Sequence, residues 1–195
     1  FNTGIDVALF GNRLLLSANY YNSRTTDMLY LYNVSVPPFT YNTLLANIGS
    51  MRNWGTEIAI GITPLKTKDM ELNINANITF QRNKLLSLSG MYNGEMLSAS
   101  EYKSLASLDG AGFHGGYNHI VYQMVGQPLG VFYLPHSTGL ESDGNGGYTY
   151  GIADLNGGGV SLEDGEDRYV AGQAVPKTIL GSNISFRYKR FDLSL

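Results

Sequence analysis

The sequence predicts an all-β chain: antiparallel strands of a partial transmembrane β-barrel, with long outer loops and one short helix. Three observations carry this. Apolar and polar residues alternate without a slip over several segments, most cleanly where Leu72, Ile74, Ala76, Ile78 and Phe80 share one side and Asn73, Asn75, Asn77 and Thr79 the other. Short connections between such segments take turns with very long ones. Charged residues make up 15% of the chain against about 25% in soluble domains, so not every surface is matched to bulk water.

The elements follow in order from the same period. Residues 4–10 place Ile5, Val7 and Leu9 on one face, and 13–21 place Leu14, Leu16, Ala18 and Tyr20, with 28–32 extending this second strand. Ile58, Ile60 and Ile62 mark a strand at 55–63, and 70–80 forms the fourth. Leu180, Ser182, Ile184, Phe186 and Tyr188 alternate through 178–188, and 191–195 closes the set. None has an interior Pro, so each can sit centrally in a sheet. Gly11-Asn12, residues 64–69 and Lys189-Arg190 supply hairpin turns. Long excursions run over 33–54 and 82–177. Counting directions along an antiparallel meander puts the short turns at one end and the excursions at the other, the asymmetry of outer-membrane barrels. In the second excursion Ser98-x-x-Glu101 precedes Tyr102, Leu105 and Leu108, a capping box that predicts a short helix over 99–108.

The two strand faces need different surroundings. Leaving an Ile, Leu or Phe side chain in water forgoes about 1.5–3 kcal/mol, so something apolar covers that side. The opposite face carries Asn, Ser and Thr where a soluble sheet would carry more Lys and Glu. Lipid therefore suits the first face and a wet lumen the second. Tyr20, Tyr21, Tyr30, Tyr32 and Tyr188 lie near strand ends, where an interfacial girdle is expected; strand propensity is an equal account of them.

Composition removes several classes of function. A net charge of -3 offers no electrostatic footprint for nucleic acid. The chain has no Cys, hence no thiolate site or disulfide. No run of about 18 apolar residues predicts a transmembrane helix, a test that leaves β-strands untouched. His114, His119 and His136 are scattered, and neither HExxH nor GxSxG occurs. Residues 110–115 spell GxGxxG, but lack the preceding strand and following helix a nucleotide site requires. Glu141, Asp143, Glu163, Asp164, Glu166 and Asp167 read as a solvated acidic loop before they read as a glycosidase pair. Asn33-Val34-Ser35, Asn77-Ile78-Thr79 and Asn183-Ile184-Ser185 match the glycosylation sequon as products of the alternation. No enzymatic role and no cofactor are expected.

The pattern N-x-G-x-x-x-N-x-G-x-E, formed by Asn47, Gly49, Asn53, Gly55 and Glu57, stands at the entry to a strand. It resembles the SusC/RagA-like TonB-dependent outer-membrane transporters of Bacteroidetes. Further stretches agree in the family's order: residues 27–32 before Pro37-Pro38, Gly126-Gln127-Pro128-Leu129-Gly130-Val131-Phe132-Tyr133, Asp154-Leu155-Asn156-Gly157, Pro176-Lys177, and 188–194. Residues 91–117 match least. The resemblance implies that 1–195 is a piece of the C-terminal part of a large barrel whose lumen is closed by a separate plug, an expectation in keeping with a start at Phe1 and an end inside an alternating run. It further implies an active importer of oligosaccharides or peptides that works with a SusD-like surface lipoprotein, draws energy through a TonB complex engaged elsewhere, and sits in outer-membrane lipid. A carbohydrate-binding β-sandwich on the cell surface is the alternative, and a glycosidase the third reading.

Two groups of loop residues are candidates for binding. Tyr117, Tyr122, Tyr133, Tyr148 and Tyr150, with Tyr92, Tyr102, Phe113 and Phe132 nearby in sequence, can stack on sugars or meet a lid, or else pack the loops internally. Asp154, Asn156, Asp164 and Asp167 invite a calcium site, since D-x-N-x-x-G-like spacing puts alternate oxygens around a cation. Gly158 stands at the fifth place and Gly165 at the twelfth, and Asp167-Arg168 fits the family's Asp-Arg only with two inserted residues. The favoured expectation is a Gly-rich turn in which Asp154 and Asn156 bond their own backbone.

Overall fold

The computed structural model describes residues 1–99, 102–107, 119–161 and 166–195. Among these the secondary structure is β1 (Asn2–Leu9), β2 (Leu14–Asn33), β3 (Thr43–Lys66), β4 (Met70–Ser87), β5 (Ser89–Tyr92), β6 (Glu95–Ser98), β7 (Tyr102–Ser107), β8 (His119–Met124), β9 (Val131–Pro135), β10 (Ser137–Ser142), β11 (Tyr148–Ile152), β12 (Arg168–Gln173), β13 (Thr178–Tyr188) and β14 (Phe191–Ser194). The chain divides into two compact units. Phe1–Met28, Ser50–Lys84 and Pro176–Leu195 form the first, and Leu29–Gly49 with Leu85–Val175 the second.

The first unit is built on a six-stranded sheet in the order β1-β2-β3-β4-β13-β14. Strands β4 and β13 pair antiparallel from Met70 opposite Tyr188 to Phe80 opposite Thr178. That register aligns Leu72, Ile74 and Ile78 with Phe186, Ile184 and Leu180 on one face. It aligns Asn73, Asn75 and Asn77 with Ser185, Asn183 and Gly181 on the other. In the β1–β2 pair, Ile5, Val7 and Leu9 stand opposite Ala18, Leu16 and Leu14. The aliphatic face is uncovered: Ile5 is 62% exposed and Leu180 74%. Within the first unit, no opposing β-layer covers this stripe among the described residues.

The tight turns gather at one end of this sheet. Phe10, Gly11 and Asn12 take left-handed backbone between β1 and β2, the conformation that Gly and Asn tolerate best. Thr67 N–H donates to the Met70 carbonyl across the next turn (2.7 Å), and Lys189 N–H donates to the Asp69 carbonyl (2.7 Å), so the last two turns are neighbours. At the far end Gln81 N–H donates to the Lys177 carbonyl (2.9 Å) and Gln81 Nε2 to the Pro176 carbonyl (2.9 Å). These bonds anchor the Pro176-Lys177 pair where the second excursion returns. Gly55 is buried beside the Tyr21 ring and the Phe80 carbonyl, where a β-carbon would lie 2.6 Å from the Tyr21 hydroxyl oxygen. Only glycine lets that ring lie across the neighbouring strand.

The second unit holds a four-stranded sheet in the order β12-β9-β8-β7 and the hairpins β10-β11 and β5-β6. Tyr32, Ala46 and Leu97 form a buried cluster, with Tyr30, Phe39, Leu44 and Ile48 packed against it. Three expectations are corrected here. The helix over 99–108 is absent from the described residues: 102–107 is β7, with Tyr102 opposite Met124 and Ser104 opposite Tyr122. A ten-residue helix is marginal alone, and the ladder to β8, the Tyr102–Tyr122 ring contact and the Ser104 Oγ to His119 Nδ1 hydrogen bond (2.8 Å) outweigh a local cap. Tyr32 belongs to the cluster of the second unit and not to a lipid-facing girdle. Strand structure also continues into the excursions expected over 33–54 and 82–177, since β2 reaches Asn33, β3 begins at Thr43 and β4 runs to Ser87.

Candidate functional site

The polar face of the first unit is a wall of short, mostly uncharged hydrogen-bonding groups. Thr63 Oγ1 donates to Asn73 Oδ1 (2.8 Å), Asn73 Nδ2 to Glu71 Oε1 (3.2 Å), and Asn19 Nδ2 to Ser17 Oγ (3.4 Å). Most of its residues are small, and a trough of about 720 Å³ lies over Ala8, Leu15, Ser17, Gly61, Asn75 and Gly181, with the Leu15 side chain on the same face. Toward the tight turns the wall becomes ionic. Arg187 reaches Glu71 at 2.7 Å, and Asp192 stands opposite Arg187 in the β13–β14 pair. Such a surface offers hydrogen bonds to a polar solute or a hydrated body without the desolvation penalty of a charged lining.

The aromatic candidates separate into two kinds. Tyr122 is 0% exposed, its ring perpendicular to that of Tyr133 with centroids 5.4 Å apart. The Arg168 guanidinium carbon lies 5.9 Å from the Tyr122 ring centroid, and Arg168 Nη1 donates to the Tyr122 hydroxyl (3.3 Å) and the His119 carbonyl (3.1 Å). Tyr122 and Tyr133 are thus joined in the packing of β8, β9 and β12, which leaves the Tyr122 ring no face for a ligand. Tyr148 and Tyr150 are the reverse, 75% and 65% exposed, side by side on one face of the β10–β11 hairpin, with Leu140 opposite Tyr150. Tyr117 lies outside the described residues, as do Phe113, His114, Glu163 and the GxGxxG stretch.

Among the described candidates for a metal site, Asp154 and Asn156 form a turn. Asp154 accepts N–H groups from Gly157 (2.5 Å) and Gly159 (3.0 Å), and Asn156 Oδ1 accepts from Gly158 (2.8 Å). Asp167 accepts from Ser161 N–H (2.7 Å) and Leu155 N–H (2.6 Å) with its two oxygens, and those bonds hold its carboxyl below the usual carboxylate range. Asp154 and Asn156 thus bond their own backbone, as a Gly-rich turn requires. Asp164 lies outside the described residues, and among the described residues no three potential metal-ligating side chains cluster.

Two features escaped the sequence reading. Arg168, which joins three strands of the second unit, carries one faint signal, an Asp-Arg pair opening an alternating run. The placing of glycines opposite asparagines on the polar wall is visible only once strands are paired.

The TonB dependent receptor-like, β-barrel family matches residues 1–194. TonB-dependent receptor P3 of Formosa agariphila is 30% identical over 205 residues, which cover 98% of this chain and 19% of that protein. TonB-dependent receptor SusC of Bacteroides thetaiotaomicron is 25% identical over 195 residues, covering 100% of this chain and 18% of that protein. The chain therefore spans about a fifth of the length of these curated relatives. A solved RagAB peptide transporter shares the fold with a TM-score of 0.62 at 21% identity, over 99% of this chain and 20% of that one.

Proposed function

This chain belongs to the TonB dependent receptor-like β-barrel family, and from that premise we propose that it forms part of an outer-membrane active importer of oligosaccharides or peptides, working with a SusD-like surface lipoprotein. One observation carries the reading: a single sheet presents an uncovered aliphatic stripe on one side and, on the other, a trough bordered by Asn75, Asn77 and Asn183. A wall between hydrocarbon and a wet lumen needs those two faces. The barrels of this family lie in the outer membrane, and the aliphatic face is the lipid side. The peptide half of the proposal takes its lead from the peptide transporter whose fold the chain shares. The oligosaccharide half rests on the resemblance to SusC-like proteins. Energy enters through a TonB complex engaged outside these residues, and the chain itself performs no catalytic step.

The exposed pair Tyr148 and Tyr150 is the proposed contact with cargo or lid. Two phenol rings on one hairpin face offer flat apolar area with polar tips at low rotamer cost. The test is uptake by cells carrying the full receptor. Receptor deletion is expected to abolish energy-dependent uptake of a labelled oligosaccharide or peptide, and Tyr148→Ala with Tyr150→Ala to reduce it severalfold. Recovery of the wild-type protein in the soluble fraction would overturn the importer reading; unchanged uptake by the double variant would release only the two tyrosines from their role.

A further inference from the structure

We propose that glycine–asparagine pairs set the relief of the polar wall, and through it the girth of cargo that passes; this rests on the import reading above. Gly4 stands opposite Asn19 in the β1–β2 pair and Gly181 opposite Asn77 in the β4–β13 pair. Gly61 of β3 lies against Asn75 of β4. A β-carbon on Gly181 would stand 2.5 Å from Asn77 Oδ1, and one on Gly61 would stand 3.1 Å from Asn75 Oδ1. One on Gly4 would overlap Asn19 Oδ1. Unbonded heavy atoms settle at about 3.5–4.0 Å, so each amide occupies room that any side chain on the glycine would fill.

The consequence is a flattened wall. Each asparagine lies down over the adjacent strand in place of standing off the sheet, and the trough of about 720 Å³ runs over Gly61, Asn75, Asn77 and Gly181. Glycine inside a strand weakens it unless something must approach closely. Here three strand pairs repeat the arrangement on one face, and what approaches is the neighbour's amide. For Gly181 the nearest atoms all belong to the Asn77 side chain, and for Gly61 they belong to the side chains of Asn75 and Leu15. A methyl group at either position displaces the end of a rotatable side chain and leaves the backbone in place. The amide then swings into the lumen.

The test uses the full-length receptor in its native outer membrane. Probes are labelled peptides of one length bearing alanine, leucine or tryptophan, beside linear and branched oligosaccharides. Gly61→Ala with Gly181→Ala is expected to slow uptake of the tryptophan peptides or branched sugars severalfold while the slim members enter at the wild-type rate. Adding Asn75→Ala and Asn77→Ala is expected to restore the bulky members, since no amide remains to be lifted. The asparagine changes alone introduce no collision, and that variant is expected to pass bulky members at least as fast as wild type. Equal slowing of slim and bulky probes, no slowing, or failure of the added alanines to restore entry would overturn this proposal while leaving import intact. Wild-type uptake of neither class would instead overturn the import reading, and this one with it.

Discussion

Tyr32 is buried among Ala46 and Leu97, its ring edge-on to Tyr30 with centroids 5.5 Å apart, and its hydroxyl has no hydrogen-bond partner among the described residues. A buried hydroxyl without a partner costs about 1–3 kcal/mol, whereas the ring itself is packed. Tyr32→Phe is therefore expected to leave stability unchanged or raise it by about 1 kcal/mol. Tyr32→Ala is expected to lower it by about 3–5 kcal/mol. Urea midpoints of the refolded protein in detergent separate the two, and a large loss on Tyr32→Phe would show that the hydroxyl is bonded. In the sequence this tyrosine looks like its neighbours Tyr20 and Tyr30 in an alternating run. Its burial depends on β3 and β6, whose positions no spacing within β2 encodes. Arg168 was hidden for the same reason, because its partners Tyr122, His119 and Tyr133 come from β8 and β9.

Beside the Gly-rich turn over 154–159 stands Asp167, whose side chain shows how backbone N–H groups hold an element together. Its carboxyl bonds two backbone N–H groups, so its folded-state pKa falls below the ordinary value of 3.8. A lowered carboxylate pKa stabilises the folded turn above the unfolded value, and that contribution disappears as pH falls through the folded one. Hydrogen-exchange protection at Leu155 and Ser161 is accordingly expected to hold from pH 7 to pH 5 and to fade below about pH 4. Asp167→Asn should remove that pH dependence; protection that fades between pH 7 and 5 would point to another group. The turn was legible in Asp154-Leu155-Asn156-Gly157 because side-chain to backbone bonds over a few residues are local chemistry. β7 was not. A capping box is local too, and it lost to a ladder with β8 supplied from across the intervening segment.

Across the whole molecule, the decisive contrast is between the two faces of the six-stranded sheet. Ile74 and Asn75 are adjacent in β4 yet face opposite sides, Ile74 toward Ile184 and Asn75 toward Asn183. Arginine on a lipid face near the bilayer midplane costs about 2–4 kcal/mol, and far less on a wet lumen. Ile74→Arg is thus expected to lower the free energy of folding into lipid vesicles by about that much, with Asn75→Arg near neutral. Equal losses would mean that both faces meet the same surroundings. By itself the amino-acid sequence determined the strands of the six-stranded sheet, the side of each that is apolar, and the end where tight turns gather, because period two and turn chemistry act between residues close along the chain. Only the tertiary structure decided that β4 pairs with β13 across the long excursion, that Tyr122 is sealed beneath Arg168 while Tyr148 and Tyr150 stay open, and that glycines sit beneath asparagines. Those outcomes depend on which strands become neighbours, and a neighbour's side chain exerts its contact, burial or collision only after the sheet has brought it within van der Waals reach.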